Sequence, residues 1–151
     1  MGLLREAGKT VCTAESCTGG LIGAAITSVP GSSDVFQGGV IAYSNDVKMK
    51  VLGVKEQTLM DHGAVSEDTA REMAAGARSF LGTDTAIAVT GIAGPGGAVP
   101  GKPVGLVYIA VADGPRVVVS RNVFGGGRED VRSSTVSTAL ELLEELLKGV
   151  L

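Results

Sequence analysis

The sequence predicts one α/β domain over residues 1–151, with three layers, α/β/α, around a mixed and mostly parallel sheet. Three observations predict it. β-Branched runs at 9–14, 38–43 and 83–91 alternate with stretches of helical periodicity, the order that builds parallel strands covered by helices. The run TDTAIAVTG (83–91) is apolar almost without a break, which calls for burial on both faces of a sheet. Two further β runs, 104–112 and 116–124, are separated only by DGP and read as a hairpin, which makes the sheet mixed. Hydrophobic residues make up 44% of the chain but aromatic ones only 3%, so the core has to be built from Val, Ile, Leu and Ala.

Taken in order, MGLLREAGKT reads as a short helix closed by Gly8, and KTVCTA (9–14) as the first strand. TGGLIGAAITSV (18–29) places Leu21, Ile22, Ala25, Ile26 and Val29 at helical spacing, and PGSS stops it. GGVIAY (38–43) reads as a buried strand. SNDVKMKVLG reads as a short helix with Ser44 as N-cap, Asp46 in the first turn and Gly53 as its stop. KEQTLMDHG adds a helical turn or two. SEDTAREMAAGARSFL (66–81) is a helix capped by Ser66, with acidic residues in its first turn and an apolar stripe of Ala70, Met73, Ala74 and Ala77. After the third strand and the hairpin, a last helix follows GGGR, with Val136, Leu140, Leu143, Leu147 and Val150 expected along one face. The 23 glycines cluster at 19–20, 38–39, 91–97 and 125–127 and mark sharp turns.

A formal net charge of −3 and no basic run argue against nucleic acid as a partner. No apolar run approaches the roughly 18 residues of a membrane span, and the first residues make a poor signal peptide. Cys12 and Cys17 are too few for a disulfide framework or a zinc site. A cytoplasmic protein without metal or cofactor is the expectation.

In open α/β sheets, sites form where strand ends meet helix starts. Three such places are 14–20, 43–48 and 90–97. Ser16, in TAESCTGG, follows a strand and precedes a helix. It reads either as an N-cap or as a nucleophile above backbone N–H groups that stabilise an oxyanion. Gly19 and Gly20 would let a ligand approach the backbone. Cys17 is the rival nucleophile, though a lone cysteine is more often a small buried hydrophobe. The only histidine, His62, falls in a loop and reads as surface polar. Lys48 lies one helical turn beyond Ser44, on the same side of the short helix and near Tyr43. A buried lysine can lose its charge and serve as a base, whereas an ordinary lysine is a solvated cation. TGIAGPGG (90–97) would expose backbone N–H groups, Gly91 among them, to an anion, or is simply a long loop. Arg128 at the start of the last helix suits a phosphate or the open surface.

The series TAESCTGG, PGSSDVFQGGVIAYSNDVK, LGV, HGAVSE, TGIAGPGG and KPVG resembles the C-terminal domain of the CinA (competence/damage-inducible) family, from about residue 10 to the final helix. Stand-alone members of that family are nicotinamide-nucleotide amidases. The resemblance implies hydrolysis of nicotinamide mononucleotide to nicotinic acid mononucleotide and ammonia. It implies Ser16 as nucleophile, Lys48 as base, Tyr43 as its hydrogen-bonding partner and Thr90 as a substrate or proton-relay contact, with Arg128 offered to the phosphate. No metal is implied. The N-terminal domain of larger family members, associated with ADP-ribose pyrophosphatase activity, has no counterpart in the resemblance. A homo-oligomer, most simply a dimer, is expected. The rival reading is a nucleotide-binding or regulatory module without chemistry, linked to competence or DNA damage.

Overall fold

The computed structural model describes residues 1–151. The chain runs α1 (Gly2–Ala7), β1 (Val11–Glu15), α2 (Leu21–Thr27), a 3₁₀ turn (Ser32–Asp34), β2 (Phe36–Ile41), α3 (Asn45–Leu52), α4 (Glu56–His62), α5 (Glu67–Leu81), β3 (Thr85–Gly91), β4 (Leu106–Asp113), β5 (Arg116–Val123) and α6 (Arg128–Leu147). The sheet order is β2-β1-β3-β4-β5. β1 pairs in parallel with β2 and β3, while β3–β4 and β4–β5 are antiparallel. Four of the five strands therefore share one direction, and β4 alone opposes them.

The two faces of the sheet differ in side-chain size. On β1, β3 and β4, Val11, Ile87, Val89, Val107, Ile109 and Val111 face one core with residues of α1, α2 and α6. The alternate residues, Cys12, Ala14, Ala86, Ala88, Ala110 and Ala112, face a second core with α5. Both faces are buried, so the strands alternate large with small instead of apolar with polar. The small face admits α5 at close range, and α5 meets it with Ala70, Met73, Ala74 and Ala77. Gly76 extends this closeness to the neighbouring helix: a Cβ there would stand 1.7 Å from the carbonyl oxygen of Leu52 at the end of α3.

Three expectations change in detail. The second strand is an edge strand, Phe36–Ile41, with alternating exposure; its small residues do not report burial, because Gly39 is needed where a Cβ would fall 2.2 Å from Thr13 Oγ1. α2 starts at Leu21, not Thr18, because residues 18–20 form a turn in which Gly19 and Gly20 take positive φ. The buried stripe of α6 is Val131, Thr135, Ala139, Leu142, Leu143 and Leu146. Val136, Leu140 and Leu147 flank it, partly buried, while Val150 lies past the helix end and is exposed. Small Thr135 and Ala139, with Thr135 Oγ1 bonded to the Val131 carbonyl at 2.7 Å, hide that stripe from a count of large apolar residues. The predicted caps are as expected: Ser44 accepts from Val47 N at 3.2 Å and Ser66 from Thr69 N at 3.1 Å.

From β1 the chain crosses to β2 through α2 on one face, then returns past β1 to β3 through α5 on the other. The reversal opens a crevice at the carboxyl ends of β1 and β3.

Candidate active site

The crevice is lined by Ser16, Cys17, Tyr43, Lys48, Ala64, Val65, Thr90, Gly91, Ala93 and Arg128. Ser16 directly follows β1 and is held by its backbone N–H, which donates to the Val89 carbonyl at 3.2 Å. Lys48 reaches it from α3. The Lys48 side chain is only 1% exposed, and its Nζ lies 3.1 Å from Ser16 Oγ, 2.9 Å from the Ala42 carbonyl and 3.1 Å from the Tyr43 carbonyl. No carboxylate forms an ion pair with it. Burial pushes its pKa below the ordinary 10.5, outweighing an opposing influence of the neighbouring Cys17.

Nζ donates in all three contacts, to the Ser16 hydroxyl and to the Ala42 and Tyr43 carbonyls. Once the amine is uncharged, two N–H groups serve the carbonyls and the lone pair is left to accept from the Ser16 hydroxyl. In that uncharged state the site sets a proton acceptor against a primary alcohol, the pairing that activates a serine without histidine. Lys50, two residues on, is exposed and pairs with Asp46 at 2.9 Å, so the helix separates the two lysines.

Cys17 is buried, and its thiol is pushed up to about 11, mainly by burial. It stays protonated at neutral pH, the inert state of a thiol. His62 ends α4 rather than occupying a loop, and its Nε2 lies 3.5 Å from Asp68 Oδ2. It does not line the crevice.

The other predicted residues divide. Thr90 is buried at the end of β3, and its hydroxyl donates to the Ala64 carbonyl at 2.7 Å. Gly91 lies beside it at the wall. Arg128 stands at the rim, where Nη1 donates to the Gly94 carbonyl at 2.8 Å and Nη2 approaches the Tyr43 hydroxyl at 3.5 Å. Tyr43 holds Lys48 through its backbone carbonyl; its side chain is 64% exposed and turns to Arg128. The lysine–tyrosine hydroxyl contact implied by the resemblance is therefore not made, because the strand ends before Tyr43 and leaves its ring on the outside. Gly19 and Gly20 do not line the crevice. They shape the turn beneath it, where their positive φ excludes other residues.

Two residues not singled out in the sequence complete the site. Glu15 is 2% exposed, and its carboxylate accepts from Thr18 Oγ1 at 2.6 Å, Ile22 N at 2.8 Å and Gly23 N at 3.0 Å. It takes up the first free N–H groups of α2, so that helix end is not open to an anion. Arg132 comes from α6, with Nε donating to the Cys17 carbonyl at 3.1 Å and Nη2 to the Thr18 carbonyl at 3.2 Å. The signal for Arg132 was its place four residues after Arg128, on the same side of the helix. For Glu15 it was a carboxylate in an otherwise apolar strand.

The CinA C-terminal domain family matches residues 1–147. A CinA-like protein of Endomicrobium trichonymphae is 54% identical over 145 residues, covering 96% of this chain and 34% of that protein. The chain spans about a third of the length of the curated relatives it matches. Among solved structures, the competence/damage inducible protein of Agrobacterium tumefaciens superposes with a TM-score of 0.92 at 48% identity, covering 95% of this chain and 88% of that one. A CinA superfamily protein of Enterobacter cloacae superposes with a TM-score of 0.94 at 37% identity, over 97% of this chain and 86% of that one. Sequence motifs, sheet order and whole-domain superposition converge, and the chain belongs to the CinA C-terminal domain family.

Proposed function

We propose that this domain is an amidohydrolase that converts nicotinamide mononucleotide to nicotinic acid mononucleotide and ammonia, with Ser16 as nucleophile and Lys48 as general base. The observation that carries the reaction class is the buried Lys48, without a carboxylate partner and with its Nζ 3.1 Å from Ser16 Oγ. The choice of substrate rests on the family resemblance and on a crevice lined by cationic Arg128 with no carboxylate. Affinity for a nucleotide then rests on its phosphate, which suits Arg128 at the rim.

Lys48 takes the Ser16 proton as Oγ attacks the carboxamide carbon. The C=O electron pair moves onto oxygen, and the tetrahedral anion is met by a backbone N–H of the turn that follows Ser16. The Ser16 and Gly19 N–H groups are already given to Val89 and Ser16 carbonyls. That of Cys17, which lines the crevice, is given to no other residue and remains for the anion. Collapse of the intermediate breaks the C–N bond, and Lys48 returns its proton to the departing amine. With the Tyr43 hydroxyl turned away, that transfer is direct. Water then attacks the nicotinoyl ester, giving its proton to Lys48, and the carboxylate product leaves as Ser16 is reprotonated. A cationic pyridinium beside the base favours a neutral amine in the resting site.

The test is ammonia release from nicotinamide mononucleotide by wild type and by Ser16→Ala. Turnover in the wild type and a loss of about a thousandfold or more in the variant is expected. No ammonia from the wild type, or full rate in Ser16→Ala, overturns the reading.

A further inference from the structure

Arg132 rises from the second turn of α6 and places one planar guanidinium on two successive carbonyls, those of Cys17 and Thr18. Both belong to the turn that carries the nucleophile. The same turn is held from its donor side by Glu15, through Thr18 Oγ1 and the first N–H groups of α2. Between these two clamps, the N–H of Cys17, which lines the crevice, is given to no other residue.

We infer that Arg132 is a positioning residue for the amidase reaction, fixing the backbone of Cys17 and Thr18 so that the Cys17 N–H meets the oxyanion. The inference rests on the acyl-transfer reading of Ser16. Its effect belongs to the transition state, because a ground-state amide oxygen carries little of the charge that the donor serves. A fork of two donors on adjacent carbonyls is a contact of arginine; lysine supplies the charge from a single point.

The experiment compares wild type, Arg132→Met, Arg132→Lys and Ser16→Ala for kcat and KM with nicotinamide mononucleotide, for thermal midpoint, and for affinity towards pyridine-3-boronic acid. The boronic acid adds a serine oxygen to form a tetrahedral anion. Arg132→Met is expected to lower kcat by about tenfold or more with KM nearly unchanged, and to weaken the boronic acid by a similar factor. Arg132→Lys is expected to fall between Met and wild type. If Arg132→Met does not fold, the Lys variant decides, with kcat reduced at least about threefold at unaltered KM and midpoint. Wild-type kcat and boronate affinity in a folded Arg132 variant overturn the inference, as does a loss that tracks the thermal midpoint alone. Full activity in Ser16→Ala, by contrast, overturns the reaction assignment itself.

Discussion

Lys48 gains its chemistry from where it sits. Sealed under the crevice with two carbonyls and a hydroxyl as its only partners, it is denied the solvation that holds an ordinary lysine charged. Activity in the proposed reaction therefore rises with pH as this amine loses its proton, with a midpoint below 10.5. A kcat/KM profile for the hydrolysis that shows no rise with pH anywhere below 10.5 would contradict this. Lys48→Ala removes the acceptor and is expected to cost about as much as losing Ser16, since paired groups fail together. Cys17→Ala, in contrast, deletes a thiol held protonated. It is expected to keep turnover within a few-fold of wild type, and iodoacetamide is expected to leave the native enzyme active. Sequence identifies these positions but not their states: that Lys48 is buried while Lys50 pairs with Asp46 depends on α5 packing against α3 and on Ser16 meeting the lysine from the end of β1.

At the scale of the element, α3 has to deliver that lysine to a fixed depth. Its carboxyl end lies against α5 so closely that Gly76 faces the Leu52 carbonyl without room for a methyl group. Gly76→Ala is expected to lower stability by about 1–3 kcal/mol or more, read as a urea midpoint. Because α3 must shift to relieve the contact, kcat is expected to fall as well. Helix boundaries were legible where residues mark them, as with Ser44, Ser66 and Gly53. They were not legible at α2, whose first donors are satisfied by Glu15 from the preceding strand. No residue at the helix start itself announces that cap. The unbroken apolar run of β3 signalled burial on both faces, but not which face takes α5. That follows only when the Ala-rich helix is placed against the Ala-rich side.

At the scale of the whole molecule, stability carries the cost of burying an amine. The folded pKa of Lys48 lies below the unfolded value, so between the two the unfolded chain binds more protons. Stability then rises with pH across that window, with the full penalty below it and none above it. Comparing urea midpoints of wild type and Lys48→Met from neutral pH to about pH 10.5 isolates the effect. The wild type is expected to gain on the variant as pH rises, and parallel curves would contradict the burial account. The three-layer architecture and the meeting of Ser16 with Lys48 were readable from strand–helix alternation and the family motifs. The hold of Arg132 on the Cys17 and Thr18 carbonyls was not, because it joins residues more than a hundred positions apart whose pairing has no local pattern.

The outermost strand has one more consequence. Both oxygens that receive the amine's hydrogens, at Ala42 and Tyr43, lie just past the end of β2, which has a neighbour on one side only. Margins of a sheet are where native structure first comes loose. Here a loosened margin would release the two peptide oxygens, admit water to the nitrogen and let it regain its proton. Local breathing at this border and loss of the reactive state of the enzyme are thus a single event.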